Sequence, residues 1–219
     1  MADHVTEEQQ VEAIKKWWKE NGMAVIAGLV IGFGALYGWR AWNEHKADQS
    51  AEASLLYGSF QAQLKQGGAE ASQNGDKIIS EYTATPYAAL AAFELAKYAI
   101  ENNDLAEAKT RLQWVIDNTR QTQMKHSAQL RLASVLSAQG EHDAALGLLN
   151  LDAVGGYKGA YAEMRGDILV AKGDTSGAHA AYDLALQSEG LSPGNREVVE
   201  AKRADTQPGV MQKPAEAVK

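Results

Sequence analysis

The sequence predicts an all-α protein in which a single N-terminal transmembrane helix precedes a solenoid of helical hairpins. The first observation is an apolar run from Met23 to Trp39 that contains no charged residue. The second is the proline-free stretch between Tyr87 and Ser192, where apolar residues recur at helical spacing and short polar or glycine-containing turns interrupt them. The third is abundant alanine, the residue with the highest helix propensity. The 219 residues allow one ordinary domain with an appendage.

The apolar run has the length and the flanks of a membrane anchor. Its 17 residues form a helix of about 25 Å, slightly short of the ~30 Å hydrocarbon core. Tryptophans, which tolerate the membrane interface, extend it at both ends. They are Trp17, Trp18, Trp39 and Trp42. We predict that residues 23–42 form the anchor and that residues 1–22 form a cytoplasmic segment.

Two other interpretations of this run are less favoured. A cleaved signal peptide has a short basic leader and small residues at its cleavage point. Here the leader is 22 residues long and of mixed charge, and bulky residues follow the core. A buried helix of a soluble domain would carry a polar stripe, whereas this run is apolar on every side.

The distribution of lysine and arginine predicts the orientation of the anchor. Lys15, Lys16 and Lys19 precede the apolar run 23–39, whereas Arg40 and Lys46 follow it. An excess of basic residues marks the cytoplasmic side of a membrane helix. The N-terminus is therefore expected in the cytoplasm and the long C-terminal part outside it.

Glycines inside the run are spaced for helix pairing. Gly28 and Gly32 form one GxxxG motif, and Gly34 and Gly38 form another. This spacing lets two helix backbones approach closely. Glycine is also common in membrane helices, so pairing with another helix and simple composition both remain open.

Three segments of the C-terminal part align without gaps. They are LAKYAIENNDLAEA (95–108), LASVLSAQGEHDAA (132–145) and RGDILVAKGDTSGA (165–178). Each has a small residue at its second position, Asn or Gly seven residues later, an acidic residue next, and Ala at its end. The small residues are Ala96, Ala133 and Gly166; the turn residues are Asn103, Gly140 and Gly173; the acidic residues are Asp104, Glu141 and Asp174; the closing residues are Ala108, Ala145 and Ala178.

This pattern predicts a stack of antiparallel helix pairs. The small residue lets two helices touch, and Asn or Gly accepts the left-handed conformation that ends a helix. The acidic residue favours the N-terminus of the next helix, and the closing Ala packs back against the first one. One pair cannot bury its apolar face alone, so three or more stack into a solenoid whose inner surface can bind an extended ligand.

The repeat positions resemble the tetratricopeptide repeat, a helix pair of 34 residues. The resemblance implies a tetratricopeptide-like domain over residues 47–204. The offsets between the small residues are 37 and 33. The chain departs from the repeat where other residues replace its early Trp and one Leu. The replacements are Ala92, Gln129 and Ala162 for the Trp, and Arg165 for the Leu.

Further helices are expected on both sides of the repeats. Upstream, Asp48 to Gln66 and Asp76 to Tyr82 are predicted to form a degenerate hairpin, joined by a Gly67-Gly68 loop, that caps the array. Downstream, Asn195 to Ala204 is predicted to be the last helix. Residues 205–219 are expected to be a disordered tail, because they cannot bury enough apolar area to offset the entropy of ordering.

No motif predicts catalysis, a cofactor or a metal site. The histidines make no signature and lie at positions 4, 45, 126, 142 and 179. A net charge of -7 without a basic cluster argues against a nucleic-acid partner. The absence of cysteine removes disulfides and thiol nucleophiles. We predict a non-enzymatic protein. The alternative, an anchored hydrolase, would need a nucleophile and a base to converge from distant positions.

The first helices of the repeats are the expected binding surface. In repeat register, the residues facing the inner side are Phe93, Lys97, Leu130, Ser134, Glu163 and Asp167. Because Glu163 and Asp167 would repel a terminal carboxylate, a neutral or basic extended segment or a protein surface is the expected ligand. In the alternative interpretation, Phe93 and Leu130 only pack between helices.

The chain as a whole resembles the YfgM family, most specifically over residues 11–57, which include EAIKKWWKENG and GALYGWRAWNEHKADQSAEAS. The resemblance implies an ancillary subunit of the SecYEG translocon in the Gram-negative inner membrane, single-pass, with a periplasmic repeat domain. It implies that this domain binds newly exported client chains and passes them to periplasmic chaperones, beside the membrane-anchored chaperone PpiD. It also implies a cytoplasmic contact with a stress-response regulator. The alternative is a membrane scaffold that assembles an envelope complex without binding clients.

Overall fold

The computed structural model describes residues 7–66, 69–152, 154–189 and 191–207, and every regular element in these ranges is helical. The helices are α1 Glu7–Lys65, α2 Ala69–Glu81, α3 Pro86–Glu101, α4 Leu105–Asn118, α5 Thr122–Ala138, α6 His142–Leu148, α7 Lys158–Lys172, α8 Thr175–Gln187 and α9 Pro193–Asp205. A short 3₁₀ turn, Gly155–Tyr157, precedes α7. The predicted all-α fold is confirmed.

The N-terminal part is one continuous helix where the sequence analysis predicted separate segments. The prediction of a new helix beginning at Asp48 is wrong, because α1 runs through this position to Lys65. Neither proline nor a turn sequence stands between the anchor and Asp48, so nothing ends the helix there. The chain divides into two compact units, residues 1–52 and residues 53–219, and α1 contributes to both.

The first unit exposes large apolar side chains along α1. Met23 is 82% exposed and Ile31 is 71% exposed. The most apolar 18-residue window of α1 has a mean hydropathy of 1.7, and only 6% of it is buried. The length and composition of α1 are those of a membrane-spanning helix, and its exposure is unlike that of a core helix in a soluble protein.

The second unit is an array of helical hairpins with a core rich in alanine. Helix α2 packs on α3, α3 pairs with α4, α5 pairs with α6, α7 pairs with α8, and α9 packs on α8. All three closing residues of the repeat, Ala108, Ala145 and Ala178, are fully buried. Gly166 lies against the ring of Tyr182, so close that an added Cβ would be 2.4 Å from the Cε1 atom. Small residues thus set the distance between paired helices.

The turns within the hairpins have the predicted left-handed residues. Asn103, Gly140 and Gly173 have φ angles of 60°, 80° and 87°. The next residue donates its N–H to the carbonyl five residues back each time. In the first hairpin, the Asp104 N–H bonds to the Ala99 carbonyl at 2.8 Å. This is the Schellman end that a left-handed residue permits.

Two of the three acidic residues after these turns cap the following helix. The Asp104 side chain accepts from the Glu107 N–H, and the Asp174 side chain accepts from the Gly177 N–H. Glu141 does not cap α6. Its carboxylate binds the Lys109 Nζ at 3.0 Å instead. The predicted acidic residue thus stands directly before the next helix in all three hairpins, and its side chain caps that helix at Asp104 and Asp174.

Element boundaries differ from the prediction at several places. Helix α2 begins at Ala69, before the predicted Asp76, and the predicted Gly67-Gly68 loop lies outside the described residues. Helix α9 begins at Pro193, a favoured first helical residue, two positions before the predicted Asn195. After α9, Thr206 is buried at 3% exposure. Residues 208–219, most of the predicted tail, lie outside the described residues.

Candidate protein-binding surface

The predicted surface residues Phe93 and Lys97 line a recess of about 460 Å³ that α3, α4 and α5 enclose. We call it the α3–α5 recess. Its lining residues are Phe93, Glu94, Ala96, Lys97, Ile100, Glu101, Leu112 and Arg131. Phe93 and Lys97 were predicted to form the binding surface. The other six lining residues were not.

The α3–α5 recess has apolar walls and a charged rim. Ile100 is 44% exposed, although it is a large aliphatic residue. The Arg131 guanidinium lies over the Phe93 ring, with its Cζ atom 4.5 Å from the ring centroid. At the rim, the Lys97 Nζ is 3.8 Å from the Glu101 Oε1. Such a recess can accept an apolar side chain while the rim contacts polar backbone groups.

Leu130 and Ser134 do not line this recess. Leu130 is partly buried and packs against the main hydrophobic core, and so does Phe93. Ser134 is exposed on α5. The packing role that the sequence left open for Phe93 and Leu130 is thus present in the structure, and Phe93 has a second contact in the recess.

Glu163 and Asp167 bind a lysine from the last helix. The Lys202 Nζ of α9 is 2.8 Å from the Glu163 Oε1 and 2.9 Å from the Asp167 Oδ2. The Tyr182 hydroxyl donates to the Asp167 Oδ1 at 2.8 Å. Burial lowers the pKa of Lys202, but the hydrogen bonds and charges of the two carboxylates raise it by more, so the net shift is upward.

These contacts correct the expectation that Glu163 and Asp167 present free charges to a ligand. Helix α9 supplies a counter-ion for both carboxylates. The expected repulsion of a terminal carboxylate therefore loses its basis at this end of the array. A sequence pattern could not reveal this pairing, because it depends on the position at which α9 packs more than thirty residues later.

Further polar contacts and one apolar residue hold α9 in place. The Arg203 Nη1 is 3.0 Å from the Asp183 Oδ1, and the His179 Nδ1 is 3.2 Å from the Arg203 carbonyl oxygen. Val199 is fully buried. His179 is therefore one of the residues that attach α9 to α8.

The four glycines of the predicted pairing motifs lie on an open surface of α1. A Cβ atom built on any of them would meet nothing within 4 Å. They are Gly28, Gly32, Gly34 and Gly38. A four-residue spacing puts the two members of each motif on the same side of the helix. Both motifs are thus free to contact a helix from another chain.

The described histidines have separate surroundings. His126 bonds through Nδ1 to the Tyr161 hydroxyl at 2.8 Å, and that hydroxyl donates to the Gln129 Oε1 at 2.7 Å. Burial raises the pKa of Tyr161 to about 12. His4 lies outside the described residues, and within the described ranges no group of three or more His, Asp or Glu side chains is placed to hold a metal ion.

Comparison with known proteins places this chain in a family. The model of the tetratricopeptide repeat-like domain matches residues 15–207. A protein of Escherichia coli (strain K12) is 35% identical over 202 residues, which are 92% of this chain and 97% of that protein. A protein of Haemophilus influenzae is 33% identical, over 86% of this chain and 92% of its own length. A protein of Aggregatibacter actinomycetemcomitans is 32% identical, over 87% and 93%.

Each of these three relatives carries the name ancillary SecYEG translocon subunit. No solved structure matches the chain. The resemblance drawn from residues 11–57 is confirmed, because the similarity extends over most of both chains. This chain belongs to the family of ancillary SecYEG translocon subunits and contains the tetratricopeptide repeat-like domain of that family.

Proposed function

We propose that this protein associates with the SecYEG translocon in the Gram-negative inner membrane and binds extended segments of partner or newly exported proteins. The names and coverage of the relatives support the association. The α3–α5 recess supports the binding activity, because it is a largely apolar concavity on a repeat array. This recess is the observation that carries the proposal.

Because the repeat domain is tethered to the membrane, a recess of low affinity is sufficient to bind passing chains. Burying one leucine-sized side chain contributes about 1.5–3 kcal/mol, and a dissociation constant of about 1 mM corresponds to about 4 kcal/mol. One or two side chains in the recess therefore give affinities near the millimolar range. A short tether raises the effective concentration of a second site to about that level. An anchored repeat domain can then bind passing chains without slowing their release.

The membrane orientation follows from charges at the two ends of the anchor. We place residues 1–22 in the cytoplasm, residues 23–42 in the bilayer and the repeat domain, residues 47–204, in the periplasm. Three lysines precede the apolar run and two basic residues follow it, which favours a cytoplasmic N-terminus. Alkaline phosphatase fused after Gln207 should be active, because the enzyme needs periplasmic disulfides. An inactive phosphatase with an active cytoplasmic reporter at the same place would reverse this topology.

Partners on each side of the membrane complete the proposal. In the periplasm, the repeat domain passes clients to a PpiD-like membrane-anchored chaperone. In the bilayer, the two glycine motifs of α1 contact SecYEG, the PpiD-like protein or a second copy of this chain. In the cytoplasm, the charged segment before the anchor contacts a stress-response regulator. The exposed tryptophans at both ends of the anchor contact the lipid interface.

Site-specific photocrosslinking in native membranes tests the binding activity. A photoreactive residue at Phe93 should crosslink to nascent secretory chains. The matched control is Thr110, which is exposed on the outer helix of the same hairpin. Equal client crosslinking from both positions, or none from Phe93, would remove the recess as the binding site. Crosslinks only to folded membrane proteins would instead support the scaffold that binds no clients.

A further inference from the structure

We propose that the repeat domain has a second binding site, for an acidic peptide segment, at the edge of the array where one hairpin ends and the next begins. The linkers between α2 and α3, between α4 and α5, and between α6 and α7 contribute to it. We call this site the linker trough. It shares no residue with the α3–α5 recess, so it goes beyond the function proposed above.

Two adjoining cavities form the linker trough. The smaller one has a volume of about 110 Å³ and lies between residues 83–89 and 114–121. The larger one has a volume of about 440 Å³ and is lined by residues of α5 and of the segment before α7. Thr119, Arg120 and Gln121 line both cavities. The α4–α5 linker thus forms a shared wall, and Arg120 faces both spaces.

Two cations in the trough have no partner within the described part of the chain. Arg120 and Lys125 are both exposed, and neither forms an ion pair or a side-chain hydrogen bond there. Some cations of the repeat domain do have carboxylate partners: Lys109 pairs with Glu141, and Lys172 pairs with Asp143. The whole chain has 28 acidic and 21 basic residues, so carboxylates are abundant. Arg120 and Lys125 are therefore two neighbouring cations that can accept a carboxylate from a ligand.

The electrostatic balance of the trough is positive. Asp152 is the only carboxylate among its described lining residues, against Arg120 and Lys125. The N-terminus of α5 adds to the field, because it has no acidic residue in its first turn and no side-chain cap. The helices that begin at the opposite ends of the hairpins differ, since Asp104 and Asp174 cap α4 and α8.

One wall of the trough is held in a fixed conformation. Tyr161 is 1% exposed, and its hydroxyl donates to Gln129 while His126 donates to it through Nδ1. The His126 ring also stacks on Tyr157, with 4.3 Å between the ring centroids. A preformed wall does not need to be ordered by the ligand, which lowers the entropic cost of binding.

The mixture of groups in the trough fits a peptide better than a small anion. Apolar side chains line it along both cavities: Ala89 and Trp114 in the smaller one, Leu148 and Val154 in the larger one. Amide side chains that can bond to a peptide backbone stand between them, at Gln121, Gln129 and Asn150. A small anion would use only the cations, whereas an acidic segment uses all three kinds of group.

Peptide binding to the full-length protein in phosphatidylcholine nanodiscs tests this proposal. The probe is a short fluorescein-labelled, amidated peptide of alternating Glu and Ala, and the readout is fluorescence anisotropy. The double variant R120Q/K125Q should weaken binding about tenfold, a loss of about 1.4 kcal/mol. Both residues are exposed, so circular dichroism should remain helical. The same peptide with Gln in place of Glu should not bind.

The matched control is the double variant K97Q/R131Q, which removes the same charge from the α3–α5 recess. It should leave acidic-peptide binding unchanged while lowering client crosslinking, so failure of this site and failure of the proposed function can be told apart. No binding to the wild type, equal binding by R120Q/K125Q, or an equal loss in the control would each overturn the proposal. Binding of phosphatidylglycerol vesicles in place of the peptide would overturn it as well, because the site would then recognise a lipid surface.

Discussion

The first and last repeats carry equivalent surface positions in opposite states. Phe93 and Lys97 in α3 border an open recess. Glu163 and Asp167, at the same repeat positions in α7, hold Lys202 of α9. The same structural position is thus available for binding at one end of the array and is occupied by the chain's own helix at the other.

This difference follows from where the array ends. Each earlier hairpin is covered by the next one, whereas within the described residues the α7–α8 hairpin is followed by the single helix α9. The end of a repeat array needs a cap with a polar outer face. Helix α9 fills that role with one fully buried apolar residue, Val199, and with ionic contacts from Lys202 and Arg203. Acidic residues in α7 therefore hold α9 in place, whereas the α3–α5 recess stays open.

The largest expected effect comes from adding a side chain at Gly166, where α7 packs against the Tyr182 ring of α8. A Cβ atom at Gly166 would lie 2.4 Å from a ring carbon of Tyr182, whose side chain is 2% exposed. Gly166→Ala should therefore lower the free energy of unfolding by about 1–3 kcal/mol, since overpacking exceeds the gain in helix propensity. Chemical denaturation of the full-length protein in detergent, followed by circular dichroism, measures this.

Gly147→Ala is the matched control for this change. Gly147 lies in α6, and an added Cβ there meets nothing within 4 Å. The control should be neutral or should stabilise the protein by up to about 1 kcal/mol through helix propensity alone. If both variants behaved alike, contact with the Tyr182 ring would not be what requires a glycine at position 166.

The next largest effect is expected from removing Lys202, the cation that binds Glu163 and Asp167. Lys202→Met leaves Glu163 and Asp167 near each other without their counter-ion, which should cost about 1–2 kcal/mol at pH 7 for groups this partly exposed. Urea denaturation of the full-length protein in detergent at pH 7 measures this loss.

A second lysine shows what an exposed ion pair contributes. Lys172 pairs with Asp143, whose side chain is 85% exposed. Lys172→Met should therefore leave the free energy of unfolding nearly unchanged. Hydrogen exchange should show α9 opening in the Lys202 variant alone. A loss in the Lys202 variant no larger than that in the Lys172 variant would mean that Glu163 and Asp167 do not need Lys202 as a counter-ion.

Substitutions in the α3–α5 recess should change client binding more than they change the free energy of unfolding. Ile100→Gln removes an apolar wall of the recess where the side chain is already 44% exposed. Client crosslinking from Phe93 should fall about fivefold, equivalent to about 1 kcal/mol of lost apolar contact. Phe93→Asp and Leu130→Asp should also weaken capture, but both residues pack on the core, so their effects on stability must be measured in parallel.

Val198 provides the comparison for Ile100. Val198 is 51% exposed on α9, the helix that packs on the last hairpin. Val198→Gln should leave client crosslinking unchanged, because Val198 does not line the α3–α5 recess. A loss equal to that of Ile100→Gln would mean that clients contact both ends of the array.

The sequence predicted the parts of this comparison that local chemistry decides. Asn103, Gly140 and Gly173 were predicted to be left-handed turn residues because only a few residue types adopt that conformation easily, and their φ angles agree. The pairing of Lys202 with Glu163 joins residues 39 positions apart. No local preference specifies such a contact, since it depends on how α9 packs. Arg131 was missed for the same reason, because its contact with Phe93 crosses between two hairpins.

The last prediction concerns the Tyr182 hydroxyl that donates to Asp167. Tyr182→Phe keeps the ring that packs against Gly166 and removes only the hydrogen bond to the Asp167 Oδ1. At pH 7 it should cost about 1 kcal/mol, the usual net value of such a bond. Thermal denaturation followed by circular dichroism measures it. The change is smaller than that of Lys202→Met, because Asp167 keeps its ion pair.

The pH dependence of this variant identifies the source of the effect. Burial and the neighbouring Asp167 raise the pKa of Tyr182 above 10.0, so the folded protein holds this proton at a pH where the unfolded chain has lost it. Wild-type stability from this group is therefore complete below pH 10 and declines as the pH rises further. Tyr182→Phe lacks the titrating group, so the difference between the two proteins should narrow above pH 10. A difference in stability that stays constant up to pH 11 would show that the Tyr182 hydroxyl is not buried in the folded protein. Asp167 would then be exposed to solvent as well.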